Sequence, residues 1–572
     1  MATFAAMATL KTHFFLRRRL GWLVALLVGA TLHAAEAPAA SLPPPPQLVV
    51  FLVVDGLPQR QITGYQDQFG PDGFNRFLQR GAAFDNAHYG HGYTVTAAGH
   101  AVMLTGAYPW RTGVIGNEWR DPSSGNSVYC TEDAAHTYIG HKTAPMAGTS
   151  PKNLRAETVG DVLRRVSPAS KVIAISGKDR GAILPAGHAG TAYMYMAEKG
   201  DFASSTYYMP SHPQWVEDFN ATRPADAYFK RTWAPLLPES AYQRSVPDSQ
   251  PWYRKDGNAD RLPAVMGEGS DAPGQRFYST LIASPFVDEL TLNFARAALQ
   301  GERLGQSAAR TDILSISLSS HDYVNHAFGA ESRLSHDHLL HLDRSLQAFF
   351  ADLDQRIGKD KYLAVLTADH GFSATPEWAK TQGQDAGRLN PTQVLGLVNA
   401  GLSAKFGEAK WTLGFSTAGI LFDPAVIAAK GVTPAAVDNE ARALLLQLGG
   451  VAEVFTREQL ASSDATDKPF LAAMRKSWHP NLSASLYVVL KPGWMVGSTL
   501  MGTTHGSPHP YDTQVPVLFY GPRWLGAGHV ERRVEVADIA PTLSQLLRLP
   551  APAQSEGRPL PLPPSTAKSL SN

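Results

Sequence analysis

The chain predicts an α/β fold, a mostly parallel central sheet flanked by helices and carrying inserted lobes, and three observations lead there. Short apolar runs rich in β-branched residues recur along it, separated by stretches with helical spacing of apolar positions. Charged or ligating residues stand at or just past the ends of those runs, where open α/β sheets bind their ligands. With 572 residues, 44% hydrophobic and 18% charged, the chain is long enough for two domains or for one large α/β domain with insertions.

The first segment, residues 1–35, reads as a secretory signal peptide. Lys11, Arg17, Arg18 and Arg19 precede an apolar stretch from Leu20 to about Leu32, and small residues continue to Ala40. The stretch is shorter than the roughly 20 residues that span a bilayer, so the expectation is a periplasmic or secreted protein with no stable membrane anchor after cleavage. Cutting after Ala35 removes four cations and no acids, taking the formal charge from +1 to +1 − 4 = −3. A chain so close to neutral gives no reason to expect nucleic acid as a partner. Cys130 is the only cysteine, which excludes an internal disulfide, a thiolate metal cluster and a lipoprotein anchor.

Residues 36–47 form a Pro-rich linker whose Pro43–Pro46 run is a stiff spacer. The main domain follows over 48–550. Its strands are read at Leu48 to Val54, ending at Asp55; Lys171 to Ser176, running into Lys178 and Arg180; Ile313 to Leu318, leading to Asp322; Tyr362 to Thr367, ending at Asp369 and His370; and Val515 to Tyr520, just after His505. Helices are read at Ser284 to Leu299, at Ser335 to Ile357, and from Asp538 with Pro541 in the first turn. Two excursions, about 181–280 and 385–500, read as lobes, the first aromatic-rich and expected to set substrate choice. Residues 551–572, rich in Pro and Ser, read as a flexible tail.

Metal-ligand spacing recurs. Asp322 and His326 share one face if the strand turns into a helix there. Asp369 and His370 follow a strand, and His505 sits in the small-residue turn Gly502-Thr-Thr-His-Gly506. With Asp55 these make a nitrogen and oxygen donor set without sulfur, which suits a pair of divalent ions, zinc first. Thr96 opens a short helix that closes at Gly106. A hydroxyl there is most often a cap, yet a helix N-terminus also favours a bound phosphate, and a metal would activate the hydroxyl. His336, His338 and His341 read as solvated or supporting residues, His88 and His91 as neighbours of the Thr96 loop, and His100 as a hydrogen-bonding residue of the short helix. Tyr207, Tyr208 and Trp215 read as either a wall of the site or lobe packing.

Taken with Val53-Val-Asp-Gly56, Gly113-Val-Ile-Gly-Asn117, Ser176-Gly-Lys-Asp-Arg-Gly-Ala182, Ser320-His-Asp-Tyr-Val-Asn-His326, Ala368-Asp-His-Gly371, Thr504-His-Gly-Ser507 and Tyr511-Asp-Thr-Gln-Val-Pro516, the Thr96 motif resembles one family. It is that of the bacterial, PafA-like alkaline phosphatases with a threonine nucleophile, in the type I phosphodiesterase/nucleotide pyrophosphatase branch of the alkaline phosphatase superfamily. One departure is Ala98, where relatives commonly have proline. The resemblance implies two Zn2+ sites, Asp55, Thr96, Asp369 and His370 forming one and Asp322, His326 and His505 the other. It implies that Thr96 attacks phosphorus to give a phosphothreonine, with Asn117, Lys178 and Arg180 on the nonbridging oxygens. It also implies phosphate-ester small molecules as partners, monoesters preferred because of Lys178 and Arg180. A phosphodiesterase or nucleotide pyrophosphatase, and an exported metal- or phosphate-binding protein, are the competing readings. Oligomeric state is not legible in the sequence.

Overall fold

The computed structural model describes residues 43–255, 259–464, 467–497 and 501–565. The signal-peptide reading of 1–35 and most of the 36–47 linker lie outside the described residues. The end of the linker is anchored: the Trp524 indole N–H donates to the Pro44 carbonyl and the Thr311 hydroxyl to that of Pro46.

The centre of the fold is a nine-stranded sheet. Its strands in chain order are β1 (Leu48–Val54), β2 (Ala82–Phe84), β3 (Val172–Ser176), β4 (Thr191–Met196), β5 (Asp201–Ala203), β6 (Asp312–Leu318), β7 (Tyr362–Thr367), β8 (Val517–Tyr520) and β9 (Gly528–Val530). They lie in the order β9-β2-β8-β7-β1-β6-β3-β4-β5. The block from β7 to β4 is parallel throughout, while β8 runs antiparallel to both β7 and β2. Helices cover the sheet, so β1 is buried at every residue and reads as an unbroken apolar run rather than an alternating one.

Register is what places the site. Val53 pairs with Ser317 and with Thr367, and Ser317 pairs with Ser176. Four neighbouring strands therefore finish at one level, and the residues that follow them emerge along a single edge. The main helices are α1 (Thr96–Thr105), α2 (Asp179–Ala186), α3 (Pro285–Gly301), α4 (Ser320–Phe328) and α5 (Arg333–Arg356). Ser284 caps α3 by accepting the Phe286 N–H, with Pro285 in the first turn. The β6 strand does turn into a helix, since α4 begins two residues after it.

Of the residues read as the first excursion, 181–203 belong to the main body, because β4 and β5 are the last two strands of the sheet, β5 at its edge; irregular structure begins after them. Within 385–500, the strands Thr412–Ser416, Gly419–Phe422, Leu486–Leu490 and Val451–Thr456 make a second, antiparallel sheet. It has its own core around Val398, Leu402, Trp411 and Ile420. The tail expected to be flexible is instead docked as far as Ser565. Leu560 is buried, its N–H donates to the Thr542 hydroxyl, the Arg558 N–H donates to Asp538, and the Gly526 N–H donates to the Pro563 carbonyl. Its composition suggested mobility, but an apolar side chain with a place to go and backbone groups with partners outweigh composition.

Candidate active site

Each chemistry-bearing side chain is delivered by a strand end or by the loop after one. Asp55 follows β1 and Asp369 and His370 follow β7; Asp322 and His326 lie one turn apart on α4, and Lys178 and Arg180 open α2 after β3. His505 comes from the loop ahead of β8. Two groups converge, Asp55 with Asp369 and His370, and Asp322 with His326 and His505, the ligand atoms within each lying within 4.8 Å of one another. The rings of His370 and His505 stack with centroids 3.4 Å apart, which joins the two groups into one site.

Thr96 stands at the first position of α1. The cap residue is Val95, in extended conformation, whose own side chain makes no capping hydrogen bond. The Thr96 hydroxyl instead faces the ligands, 3.4 Å from His370 Nε2. Asn117 takes over the capping work: its Oδ1 accepts the Ala97 N–H at 2.8 Å. Because that N–H can only donate, the amide orientation is fixed and Asn117 keeps its NH2 as a free-facing donor group. Gly99 lets α1 settle on the β7 end, since a Cβ there would come within 2.1 Å of the Asp369 carbonyl oxygen.

Whether divalent metal suits these residues can be judged from the histidines. Nδ1 of His326, His370 and His505 each lies against a backbone carbonyl, of Thr503, Gly371 and Thr94, at 2.9, 2.8 and 2.9 Å. A carbonyl only accepts, so each Nδ1 carries the proton and each Nε2 presents a lone pair inward. Those lone pairs meet carboxylate oxygens: His326 Nε2 is 3.4 Å and His505 Nε2 3.6 Å from Asp322 Oδ1, and His370 Nε2 is 3.5 Å from both Asp55 Oδ1 and Asp369 Oδ2. Asp55 Oδ1, Asp322 Oδ1 and Asp369 Oδ2 are buried with no hydrogen-bond donor among the described residues. Acceptors aimed at acceptors in a buried place are unfavourable without a cation between them. The donor set, imidazole and carboxylate without sulfur, fits divalent ions of the zinc kind.

The electrostatics agree. Burial and the neighbouring Asp369 push the Asp55 carboxyl well above its ordinary range, against the pull of Lys178. Burial also works against ionised Asp322, but Lys178 and the surrounding histidines more than offset it and hold that carboxyl well below. Burial, reinforced by His370, pushes His505 well below the usual imidazole value. Lys178 Nζ sits between the two groups, 2.7 Å from Asp55 Oδ2 and 2.6 Å from Asp322 Oδ2. It thus partly neutralises the three carboxylates. Arg180 is oriented by Tyr129, whose hydroxyl accepts from Nη1 at 3.1 Å and donates to Asp179 at 2.7 Å. The Arg180 Nε is buried without an acceptor among the described residues.

His100, expected as a hydrogen-bonding residue of the short helix, does bond there, while the other supports were not read from the sequence. His100 Nδ1 donates to the Thr96 carbonyl at 2.8 Å and lies 3.4 Å from Asp369 Oδ2, while its Nε2 accepts from Ser317 at 2.9 Å. Asp369 Oδ1 takes the N–H groups of Gly56 and His370 at 3.0 and 3.1 Å. Tyr129 arrives on a short hairpin and carries no signal in the sequence. Of the two readings for the α5 histidines, solvated or supporting, solvation does not hold for two of them: His336 stacks on Tyr65 and His338 is buried against His321. His88 bonds Thr513 and Asn86, away from the Thr96 hydroxyl. Trp215 packs on Tyr193 and Phe294 within the core.

Comparison with known proteins agrees with this geometry. The family model for type I phosphodiesterase / nucleotide pyrophosphatase matches residues 49–512. A calcium-transporting ATPase of Myroides odoratus is 34% identical over 90% of this chain and 94% of its own. Alkaline phosphatase PhoV of Synechococcus elongatus is 36% identical over 90% of this chain and 92% of its own. The crystal structure of wild-type alkaline phosphatase PafA, known from Elizabethkingia meningoseptica, superposes with a TM-score of 0.83 at 32% identity, covering 91% of this chain and 99% of that one. PafA has also been solved as a mutant changed at one threonine, one asparagine, one lysine and one arginine, in that chain order. The alkaline phosphatase-like fold expected from the sequence is the one observed, and the chain belongs to the type I phosphodiesterase / nucleotide pyrophosphatase family.

Proposed function

We propose that this chain is an alkaline phosphatase, a phosphate monoester hydrolase acting through a phosphothreonine at Thr96 with two zinc ions. The observation that carries the reading is the facing of the Thr96 hydroxyl into two histidine–carboxylate groups in which Asp55 Oδ1, Asp322 Oδ1 and Asp369 Oδ2 lack donors among the described residues. Asp55, Asp369 and His370 would hold one ion together with Thr96, and Asp322, His326 and His505 the other. Such ions lower the pKa of a coordinated hydroxyl and stabilise developing negative charge on oxygen. The exported location read from residues 1–35 belongs to the same proposal.

The chain's own groups do the rest. Thr96 Oγ loses its proton and forms a bond to phosphorus while the ester P–O bond breaks and the alcohol leaves. Water then attacks the phosphothreonine, releasing phosphate and restoring the hydroxyl. The Asn117 NH2 donates to a nonbridging oxygen, and its Oδ1 keeps α1 in place at the same time. Arg180, braced by Tyr129, offers its unpaired Nε–H. Lys178 Nζ, which lies between Asp55 and Asp322, would supply a second positive charge to the phosphoryl group. Two cations beside the phosphoryl group favour a dianionic monoester over a monoanionic diester. The threonine, asparagine, lysine and arginine altered together in PafA have counterparts here of the same types in the same chain order.

Zinc analysis alongside hydrolysis of an aryl phosphate tests the reading. Thr96→Ala should abolish turnover while two equivalents of zinc stay bound. Lys178→Ala should lower kcat/KM more for a monoester than for a diester; equal losses would move the assignment to a phosphodiesterase, and activity surviving in Thr96→Ala would remove the nucleophile.

A further inference from the structure

A cavity of about 290 Å³ opens beside His505 and runs beneath the sheet of the 385–500 lobe. His505 and Gly506 form its inner end, and Tyr93, Phe415, Leu448 and Val488 supply apolar walls. Among the described residues no lysine or arginine lines it. Among the lining residues one carboxylate occurs, Asp512, whose Oδ2 accepts the Ser507 backbone N–H and hydroxyl at 2.9 and 2.6 Å, while its Oδ1 is buried without a partner among the described residues. Most of the cavity wall is therefore apolar, and many of its polar side chains come from the stretch Thr504 to Asp512 that carries His505.

Its position is fixed by two glycines. A Cβ on Gly116 or on Gly506 would each lie 3.3 Å from the Tyr93 ring, so that ring is wedged between the Asn117 loop and the His505 turn. Gly116 also meets the lobe: Thr417, at the tip of the hairpin joining Thr412–Ser416 to Gly419–Phe422, would stand 3.1 Å from such a Cβ. The lobe thus closes over the site from the side where the cavity begins. His505 belongs both to the second ligand group and to the cavity wall, and its ring stacks on that of His370, so the cavity opens directly from the candidate site.

We infer that this cavity receives the alcohol half of the substrate, and that the preferred substrates are phosphate monoesters of apolar alcohols, alkyl or aryl. The inference rests on the proposed phosphatase activity and deepens it. A sugar or nucleoside seated here would leave its hydroxyls without partners against Phe415, Leu448 and Val488, which is costly. An apolar group displaces water from surface that has no other cover. Substrate choice then belongs to the 385–500 lobe, in place of the aromatic-rich excursion to which the sequence pointed.

Straight-chain monoesters from ethyl to octyl phosphate test it, because their leaving groups are nearly equal in basicity and differ in apolar length. With the zinc-loaded enzyme, kcat/KM should climb by up to about fourfold per added methylene and level off once the cavity is filled. Phe415→Asp should flatten the climb and leave ethyl phosphate unchanged. Phe415→Trp, which adds bulk without charge, should make the plateau arrive at a shorter chain and serves if the aspartate variant does not fold. A flat series in an active wild-type enzyme, or a climb indifferent to the variants, would overturn the inference. Should no ester be hydrolysed, the phosphatase reading falls, and calorimetric binding of ethyl- against octylphosphonate decides the cavity separately: tighter octyl binding that Phe415→Trp weakens supports it, and equal binding ends it.

Discussion

Asn117 does two jobs with one side chain, and they can be separated. Its oxygen accepts the Ala97 N–H that would otherwise be an orphan donor at the start of α1, while its NH2 remains for the phosphoryl oxygen. Asn117→Asp keeps an acceptor for Ala97 but replaces the donor with negative charge, so it should fold as the wild type does and lose about 10²-fold or more in kcat/KM. Asn117→Ala should lose activity and also about 1 kcal/mol of stability, the cost of an N-cap. Urea unfolding beside monoester kinetics checks this; equal stability of the two variants would refute the capping role. Most candidate ligands were legible as residues, because Asp and His at strand ends stand out against apolar runs. Their supports were not: Ser317, which holds His100, looks like any buried strand residue, and Tyr129 gains its role only by lying beside Arg180.

At the scale of elements, the close seating of α1 on the end of β7 sets the distance from Thr96 to the ligands. Gly99 is the contact point, and a methyl there would meet the Asp369 carbonyl at 2.1 Å. Gly99→Ala should therefore lift α1 and lower kcat by about 10²-fold, since displacement on the order of 1 Å is enough. Zinc retention with lost turnover would be the expected pattern, and an unchanged kcat would show that the helix does not govern nucleophile placement. The helix itself was visible in the sequence as a run from Thr96 to Gly106, which closes it in left-handed conformation at φ +68°. That its cap would be Val95 backbone plus the Asn117 side chain was not visible, because the partner lies 20 residues away from Ala97.

For the whole molecule, the C-terminal segment joins parts distant in the chain. The Glu556 N–H donates to the Gly106 carbonyl at the end of α1, and Leu560 fills the core. Truncation after Pro550 should lower stability by about 3 kcal/mol or more, from one buried leucine and several hydrogen bonds; an unchanged Tm would restore the flexible-tail reading. Glu535 is a second tie: its carboxylate accepts from the Tyr108 hydroxyl and lies 3.4 Å from Lys476 of the 385–500 lobe. Burial, with Asp538 and Glu556 close by, pushes its carboxyl up to about 7 from an ordinary 4.5. An acid with a raised folded pKa holds more protons folded than unfolded, so its contribution is complete below about pH 4.5 and is lost as pH rises through 7. Glu535→Gln should accordingly gain Tm relative to wild type as pH goes from 5 to 8. A gap that narrows over that range would contradict the burial argument.

The sequence by itself determined the α/β class, the strands that carry ligands, the donor chemistry and the residue types around Thr96, because these follow from local periodicity and from the rarity of charge at strand ends. Only the tertiary structure decided which donors meet. The common register of β1, β3, β6 and β7 brings Asp55, Lys178, Asp322 and Asp369 to one edge, and the three backbone carbonyls that fix the histidine tautomers come from separate loops. The docked tail and the apolar cavity under the 385–500 lobe are likewise products of packing. Long-range contacts of that kind leave no pattern in neighbouring residues, since their partners are set by the fold and not by spacing along the chain.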